Sequence, residues 1–284
     1  MITDLETNFL YLSNKLTEIR YSDFLTNFNN HLKRLNIKFQ FLDNTNDIWC
    51  RDFMPIQVHE NKFVQFRYEP YYLKNFDYLK TNPKKIKEIN NFNIIHSDII
   101  LDGGNVVKSK EKVIITDQIV KDNKEKYTEK SIISKLQKLF EIEYIIIVPH
   151  LPYDWSGHAD GIVRFFDEQT VLINDYSKTR QSVSWQTKFK RRLKNYNLKT
   201  IEIPYLEVEK KNDEGISPAT GCYMNYLQIG ETIFLPTFNI PEDEKAIKQF
   251  ENELFKSKNV ISVQANQIAD RGGVLNCIAW NINK

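Results

Sequence analysis

The chain has 284 residues, of which 41% are hydrophobic and 27% charged, and its net charge is +2. That make-up is typical of a folded globular chain, and nine glycines and nine prolines exclude collagen-like or low-complexity architecture. The near balance of charge gives no ground for a polyanion partner such as nucleic acid.

The predicted elements form a repeat. The chain opens with helical spacing somewhere within 9–35 and a strand over 37–42. A first unit then reads as strands over 55–58 and 63–66, a weakly patterned helix over 84–90 and a strand over 93–96. The second reads as strands over 105–107 and 113–116, a helix over 128–140 and a strand over 143–148. The third takes strands over 162–165 and 171–174, a helix over 182–194 and a strand over 199–203. The fourth takes strands over 223–228 and 232–235, a helix over 241–256 and a strand over 259–263. A closing strand over 274–280 lacks a helix after it, and the opening helix lacks strands before it. Joined together they make a fifth ββαβ unit split across the termini. No Pro/Gly-rich linker divides the chain, so the expectation is a single domain over 1–284, α/β in class, its last unit closed by the N-terminal segment.

The three cysteines, Cys50, Cys222 and Cys277, form no CxxC pair, which excludes a disulfide scaffold and a four-cysteine zinc site. The first six residues have no basic segment leading into an apolar one, and the apolar run 144–148 is far shorter than the roughly 20 residues of a membrane span. A cytoplasmic location without membrane association is expected, where a thiol stays usable. His31, His59, His96 and His150 show no metal-ligand spacing. The basic run 188–194 reads as a solvated helix face.

Chemically capable residues stand near the first strand of each unit: Asp52, Asp102, His158 with Asp160, and Cys277. Units arranged round an axis would gather them at one pocket. A thiolate is a strong nucleophile, and a neighbouring imidazole can give and take protons. Asp160, two residues after His158, would share its face if that segment is extended. Several carboxylates beside a thiol oppose thiolate formation unless the ligand is a cation. Guanidinium fits, since its paired N–H groups match carboxylates bidentately. The pairs Gly103-Gly104 and Gly272-Gly273 would let backbone approach a small ligand closely.

In order along the chain, Trp49-Cys50-Arg51-Asp52, Asp102-Gly103-Gly104-Asn105, Gly157-His158-Ala159-Asp160, the run from Pro218 through Gly221 to Tyr226, and Gly272-Gly273 leading to Cys277 are similar to the guanidine-modifying enzyme superfamily. The closest resemblance is to the branch of agmatine deiminases and Porphyromonas-type peptidylarginine deiminases. It implies a five-bladed, pseudo-fivefold α/β propeller (pentein) and hydrolytic deimination without metal or organic cofactor. By that resemblance Cys277 is the nucleophile, His158 the general acid and base, Asp52 and Asp160 the clamp on the guanidinium, and Asp102, where relatives often carry Glu, the orienter of the histidine. Trp49, Asn225 and Arg67 are the implied substrate-binding residues. Met54 stands where relatives have Gly, and Asn276 precedes the nucleophile where agmatine deiminases commonly have His.

The implied partner is a small guanidine, agmatine first, with arginine or a peptide arginine as the alternative. No nucleic acid or membrane partner is implied, and a homo-oligomer is left open. An amidinotransferase would need an amine acceptor in place of water. A non-catalytic propeller like the ribosome anti-association factors would have lost the residues named above.

Overall fold

The computed structural model describes residues 1–284. The chain opens with β1 (Phe9–Ser13), α1 (Ser22–Arg34) and β2 (Lys38–Leu42). After the one-turn helix α2 (Cys50–Phe53), β3 (Ile56–His59) runs antiparallel to β4 (Lys62–Arg67), which pairs in parallel with β5 (Asn93–Ile100). The pattern repeats with β6 (Val107–Lys108), β7 (Lys112–Thr116) and β8 (Tyr144–Val148), with α3 (Gln118–Asp122) and α4 (Glu129–Phe140) between the last two strands. A third sheet orders β9 (Val163–Phe165), β10 (Thr170–Asn174) and β11 (Lys199–Ile203) with β10 central, and α5 (Val183–Lys194) connects β10 to β11. The fourth holds β12 (Leu227–Ile229), β13 (Thr232–Thr237) and β14 (Asn259–Gln264), with α6 (Glu242–Gln249) before β14. Beyond the short α7 (Asn266–Ala269), β15 (Ala279–Ile282) pairs antiparallel with β1, and β1 pairs in parallel with β2. The first and last strands of the chain therefore share one sheet.

The repeat has a local cause. A parallel strand pair needs a crossover, and an amphipathic helix supplies it while covering one sheet face. The α4 helix buries Ile132, Leu136 and Phe140 at i, i+4 and i+8, and starts on a capping box between Thr128 and Ser131. Helices α1, α4 and α5 stop in the same way. Asn36, Glu141 and Asn197 turn left-handed, at φ 54°, 54° and 57°. The next residues, Ile37, Ile142 and Leu198, donate back to the carbonyls of Leu32, Gln137 and Leu193.

Contacts divide the chain into two compact units. One comprises Met1–Thr3, Arg51–Ile173 and Arg180–Ile201; the other comprises Asp4–Cys50, Asn174–Thr179 and Glu202–Lys284. The first has a core of Val58, Val64, Ile99, Ile115, Ile132, Leu136 and Phe140, contributed by strand and helix faces together. In the second, Phe28 of α1 meets Phe234 of β13 edge to face at 5.2 Å. No helix is long and apolar enough to cross a membrane.

Several boundaries depart from the sequence pattern. The expected helix over 84–90 is a string of 3-10 turns, at Tyr71–Leu73, Asp77–Leu79, Pro83–Lys85 and Lys87–Asn91. Pro70 and Pro83 supply no N–H there, and only Ile86 and Ile89 offer an apolar pair, three residues apart and both buried. The strands expected from 105 and 223 begin later, after 3-10 turns at Gly103–Asn105 and Tyr223–Asn225. The closing strand begins at Ala279, so Cys277 sits in a buried turn before it. Within 9–35, β1 precedes the helix, and α6 gives way to a π turn over Phe250–Leu254.

Candidate active site

The one-turn helix α2 is anchored by fully buried Cys50 and Phe53, which leaves Asp52 to face the unit's interior at 7% exposure. There Asp52 Oδ1 accepts the Gly104 N–H at 3.0 Å and lies 3.6 Å from His158 Nδ1. The other face of the imidazole is held from the turn after β5, with His158 Nε2 3.0 Å from Asp102 Oδ2. The same oxygen accepts the Tyr72 hydroxyl at 2.8 Å, and the Tyr72 ring stands edge-on to the imidazole. Asp160 is 3% exposed, and its N–H donates to the Gly104 carbonyl at 3.0 Å.

The loop carrying His158 is fixed from the unit's second sheet. Asn105 Oδ1 accepts the Thr116 N–H at 2.9 Å, and Thr116 Oγ1 donates to the Gly157 carbonyl at 2.5 Å. Gly157 turns left-handed at φ 68°, and its N–H donates to Asp154 Oδ2 at 2.7 Å. His158 and Asp160 therefore lie on a tight turn, not on the extended segment the sequence suggested. They come together because that turn folds them back on Gly104.

Gly103-Gly104 also serves a different purpose from the one expected. A Cβ on Gly104 would stand 2.6 Å from both Asp52 Oδ1 and His158 Nδ1, and one on Gly103 would meet the Arg51 carbonyl at 2.0 Å. The glycines make room for the protein's own polar groups to converge.

Electrostatics follows from the burial. Burial pushes the Asp52 carboxyl well above its ordinary value, and its neighbours Asp102 and Asp160 add to that while His158 opposes it. Burial works against charge on His158, but Asp52, Asp102 and Asp160 outweigh it and raise the imidazole well above its ordinary value. The cluster is an imidazole set among three buried aspartates, an acidic setting suited to a cation.

A second cluster forms in the other unit. Asn225, in the 3-10 turn Tyr223–Asn225, donates from Nδ2 to Cys277 Sγ at 3.2 Å. Its Oδ1 accepts the N–H groups of Asn276 and Cys277 at 3.1 and 3.2 Å. One buried side chain thus holds both the turn and the sulfur. Half-buried Trp49 packs where a Cβ on Gly273 would lie 2.6 Å from its ring, and that same Cβ would be 3.2 Å from Cys277 Cβ. All three cysteines are thiols, and no group of three or more His, Cys, Asp or Glu side chains is arranged to hold a metal ion.

Arg67 joins neither cluster; its guanidinium pairs with Glu69 at the exposed end of β4. Met54, where relatives have Gly, is buried at 3% beside Phe53. Tyr72 was not visible from the sequence, because nothing about a tyrosine between Pro70 and Asn75 sets it apart from a surface aromatic.

A family model for the Porphyromonas-type peptidyl-arginine deiminases matches residues 12–282. The chain belongs to that family. The match extends along nearly all of the chain, as the motifs do. A putative agmatine deiminase of Streptococcus mutans is 25% identical over 208 residues, which cover 64% of this chain and 56% of that protein. The chain thus spans little more than half the length of that curated relative.

Among solved structures, an agmatine deiminase from C. jejuni superposes with a TM-score of 0.79 at 20% identity, over 100% of this chain and 95% of that one. A Cys-to-Ser variant of the C. jejuni enzyme with substrate bound gives 0.77 at 20% identity, over 100% and 96%. A putative arginine deiminase from Porphyromonas gingivalis gives 0.79 at 16% identity, over 100% and 98%. The fold is the five-unit α/β propeller, or pentein, expected from the sequence, with five three-stranded sheets.

Proposed function

We propose that the deiminase hydrolyses a guanidine through Cys277, with agmatine as substrate and N-carbamoylputrescine and ammonia as products. The observation that carries this reading is the buried imidazole of His158 held between Asp102 and Asp52, with the family's nucleophile position occupied by an Asn225-bound thiol. Asp52 and Asp160 accept the guanidinium N–H groups. Burial works against charge on Asp52, and an arriving cation favours its charged form, which suits it to the clamp. Cys277 gives up its thiol proton to solvent as the cation binds, its Sγ bonds to the guanidinium carbon, and His158 gives its proton to the departing amine, so that one C–N bond breaks and ammonia leaves. Water then adds to the thiouronium carbon, His158 takes one of its protons and solvent the other, and the C–S bond breaks to release the ureido product and the thiolate. Asp102 keeps Nε2 of the imidazole oriented throughout. No step calls on a metal or organic cofactor.

Agmatine is preferred over arginine or a carboxy-terminal peptide arginine because those carry a carboxylate tail. Arg67, the arginine expected to meet such a tail, is paired with Glu69. We further propose that the chain works as one deiminase domain over 1–284, in a reducing cytoplasm, and needs no nucleic-acid partner.

The test is ammonia release measured with ureido-product formation on agmatine, arginine and a peptide ending in arginine. Agmatine is expected to turn over, and Cys277→Ala to abolish turnover with the circular dichroism spectrum unchanged. Citrulline as the main product would replace agmatine by arginine, and a fully active Cys277→Ala variant would remove the mechanism.

A further inference from the structure

The crossover from β4 to β5 is unlike those of the other sheets. Helices α1, α4, α5 and α6 lie in those, while this one is built of 3-10 turns. Its first turn, Tyr71–Leu73, is closed by the Leu73 N–H on the Pro70 carbonyl at 3.1 Å and anchored by buried Leu73. Exposed Tyr71 donates its hydroxyl to the Trp155 carbonyl, which ties the turn to the loop carrying His158. The Tyr72 ring stands edge-on to Trp155 at 4.6 Å and to the His158 imidazole at 5.9 Å. Its hydroxyl reaches inward to the buried Asp102 carboxylate. There Oδ2 takes the phenol at 2.8 Å and His158 Nε2 at 3.0 Å.

Two donors on one oxygen compete, because each draws on the same electron density and weakens the pull on the other. Burial first, and then the carboxylates of Asp102 and Asp52, push the Tyr72 phenol well above its ordinary value. It therefore keeps its proton and stays a donor. The other titratable groups that act on the pair are Asp52, Asp160 and Asp122 on the imidazole, and Asp52 and Tyr68 on the phenol. All of them stay in place when the Tyr72 hydroxyl alone is removed.

We infer that Tyr72 is a positioning residue for His158, fixing the Asp102 carboxylate against the imidazole and limiting how tightly that carboxylate holds the imidazole proton. Its part in turnover rests on the deiminase reading proposed above; the competition for Oδ2 does not. A general acid that holds its proton too tightly gives it up slowly, so the shared oxygen keeps His158 able to donate.

Tyr72→Phe in the full chain tests this, since it keeps the ring against Trp155 and His158 and removes only the hydroxyl. In proton NMR of the resting protein near neutral pH, the His158 Nε2–H signal is expected to move downfield as Asp102 turns its whole pull on it. A signal that stays in place or moves upfield would overturn the competition. In turnover, the alkaline limb of kcat is expected to rise by about 0.5–1 pH unit, the worth of one hydrogen bond. Below that limb kcat should fall roughly three- to tenfold, with KM within about twofold. A limb that stays or moves down would overturn the tuning role. Tyr71→Phe removes the bond to Trp155 without touching Asp102, and both readings are expected to match wild type. Equal shifts in the two variants would make the effect one of packing and overturn the inference. If wild type turns over no guanidine, the proposed function falls, and the NMR signal still decides whether Tyr72 competes for Asp102.

Discussion

The His158 imidazole is held by two aspartates from opposite faces, and the two contacts differ in kind. Asp102 makes a direct hydrogen bond at 3.0 Å, while Asp52 stands at 3.6 Å and spends Oδ1 on the Gly104 N–H. Asp102 is therefore the positioning partner, and Asp52 keeps an oxygen for a ligand. The sign of the pH dependence follows. As a general acid His158 must begin protonated, and its folded pKa lies above the ordinary value of about 6.5 because the aspartates overcome burial. Turnover should persist above pH 6.5 and fall as pH rises through the folded value. Asp102→Asn removes one of the raising charges, so the alkaline limb of kcat should move to lower pH, with kcat reduced on the order of 10²-fold. An unmoved limb in the kcat profile would show that Asp102 only fills space. Asn225 plays the corresponding part for the thiol, holding Cys277 Sγ and the N–H groups of Asn276 and Cys277.

At the scale of elements, each unit delivers its polar residue from the turn before its first strand. Asn105 and Asn225 occupy like positions at the ends of 3-10 turns and brace their neighbours through Oδ1, one to Thr116 and the other to the Cys277 turn. The helices contribute by closing the parallel strand pairs, and their ends have measurable value. Thr128 caps α4 through its hydroxyl to the Ser131 N–H. Thr128→Ala should cost about 1 kcal/mol and lower Tm by about 2–4 °C in a thermal melt, with kcat unchanged. A melt equal to wild type would mean that the capping box adds nothing to the packing of Ile132, Leu136 and Phe140.

For the molecule as a whole, the sheet that joins both ends of the chain is the most exposed to truncation. In β1 the side chains of Leu10, Tyr11 and Leu12 are 0%, 1% and 0% exposed. Each contributes about 1.5–3 kcal/mol of burial, and the strand supplies the pairing for both β15 and β2. Deleting residues 1–13 leaves two unpaired strand edges and should yield insoluble or aggregated protein by size-exclusion chromatography. A soluble truncated chain with a cooperative melt would show that β15 and β2 can pair without it.

The sequence by itself determined the five-unit repeat, because alternating short β-branched strands and amphipathic helices leave a periodicity that each unit satisfies locally. It also marked Asp52, Asp102, His158, Asp160 and Cys277, since chemically capable residues before successive first strands stand out in a chain of ordinary composition. Elements that depend on distant partners were misread. The stretch 84–90 has buried Ile86 and Ile89 but no helix, and Cys277 lies in a turn whose shape is set by Asn225, fifty-two positions earlier. Only the tertiary structure decided that Arg67 is spent on Glu69, that Tyr72 shares an oxygen with His158, and that Gly104 is small to admit Asp52 and the imidazole. Apart from the Arg67–Glu69 pair, such contacts join residues far apart in the chain, and hydrogen bonds and steric limits of that kind leave no period or composition to read.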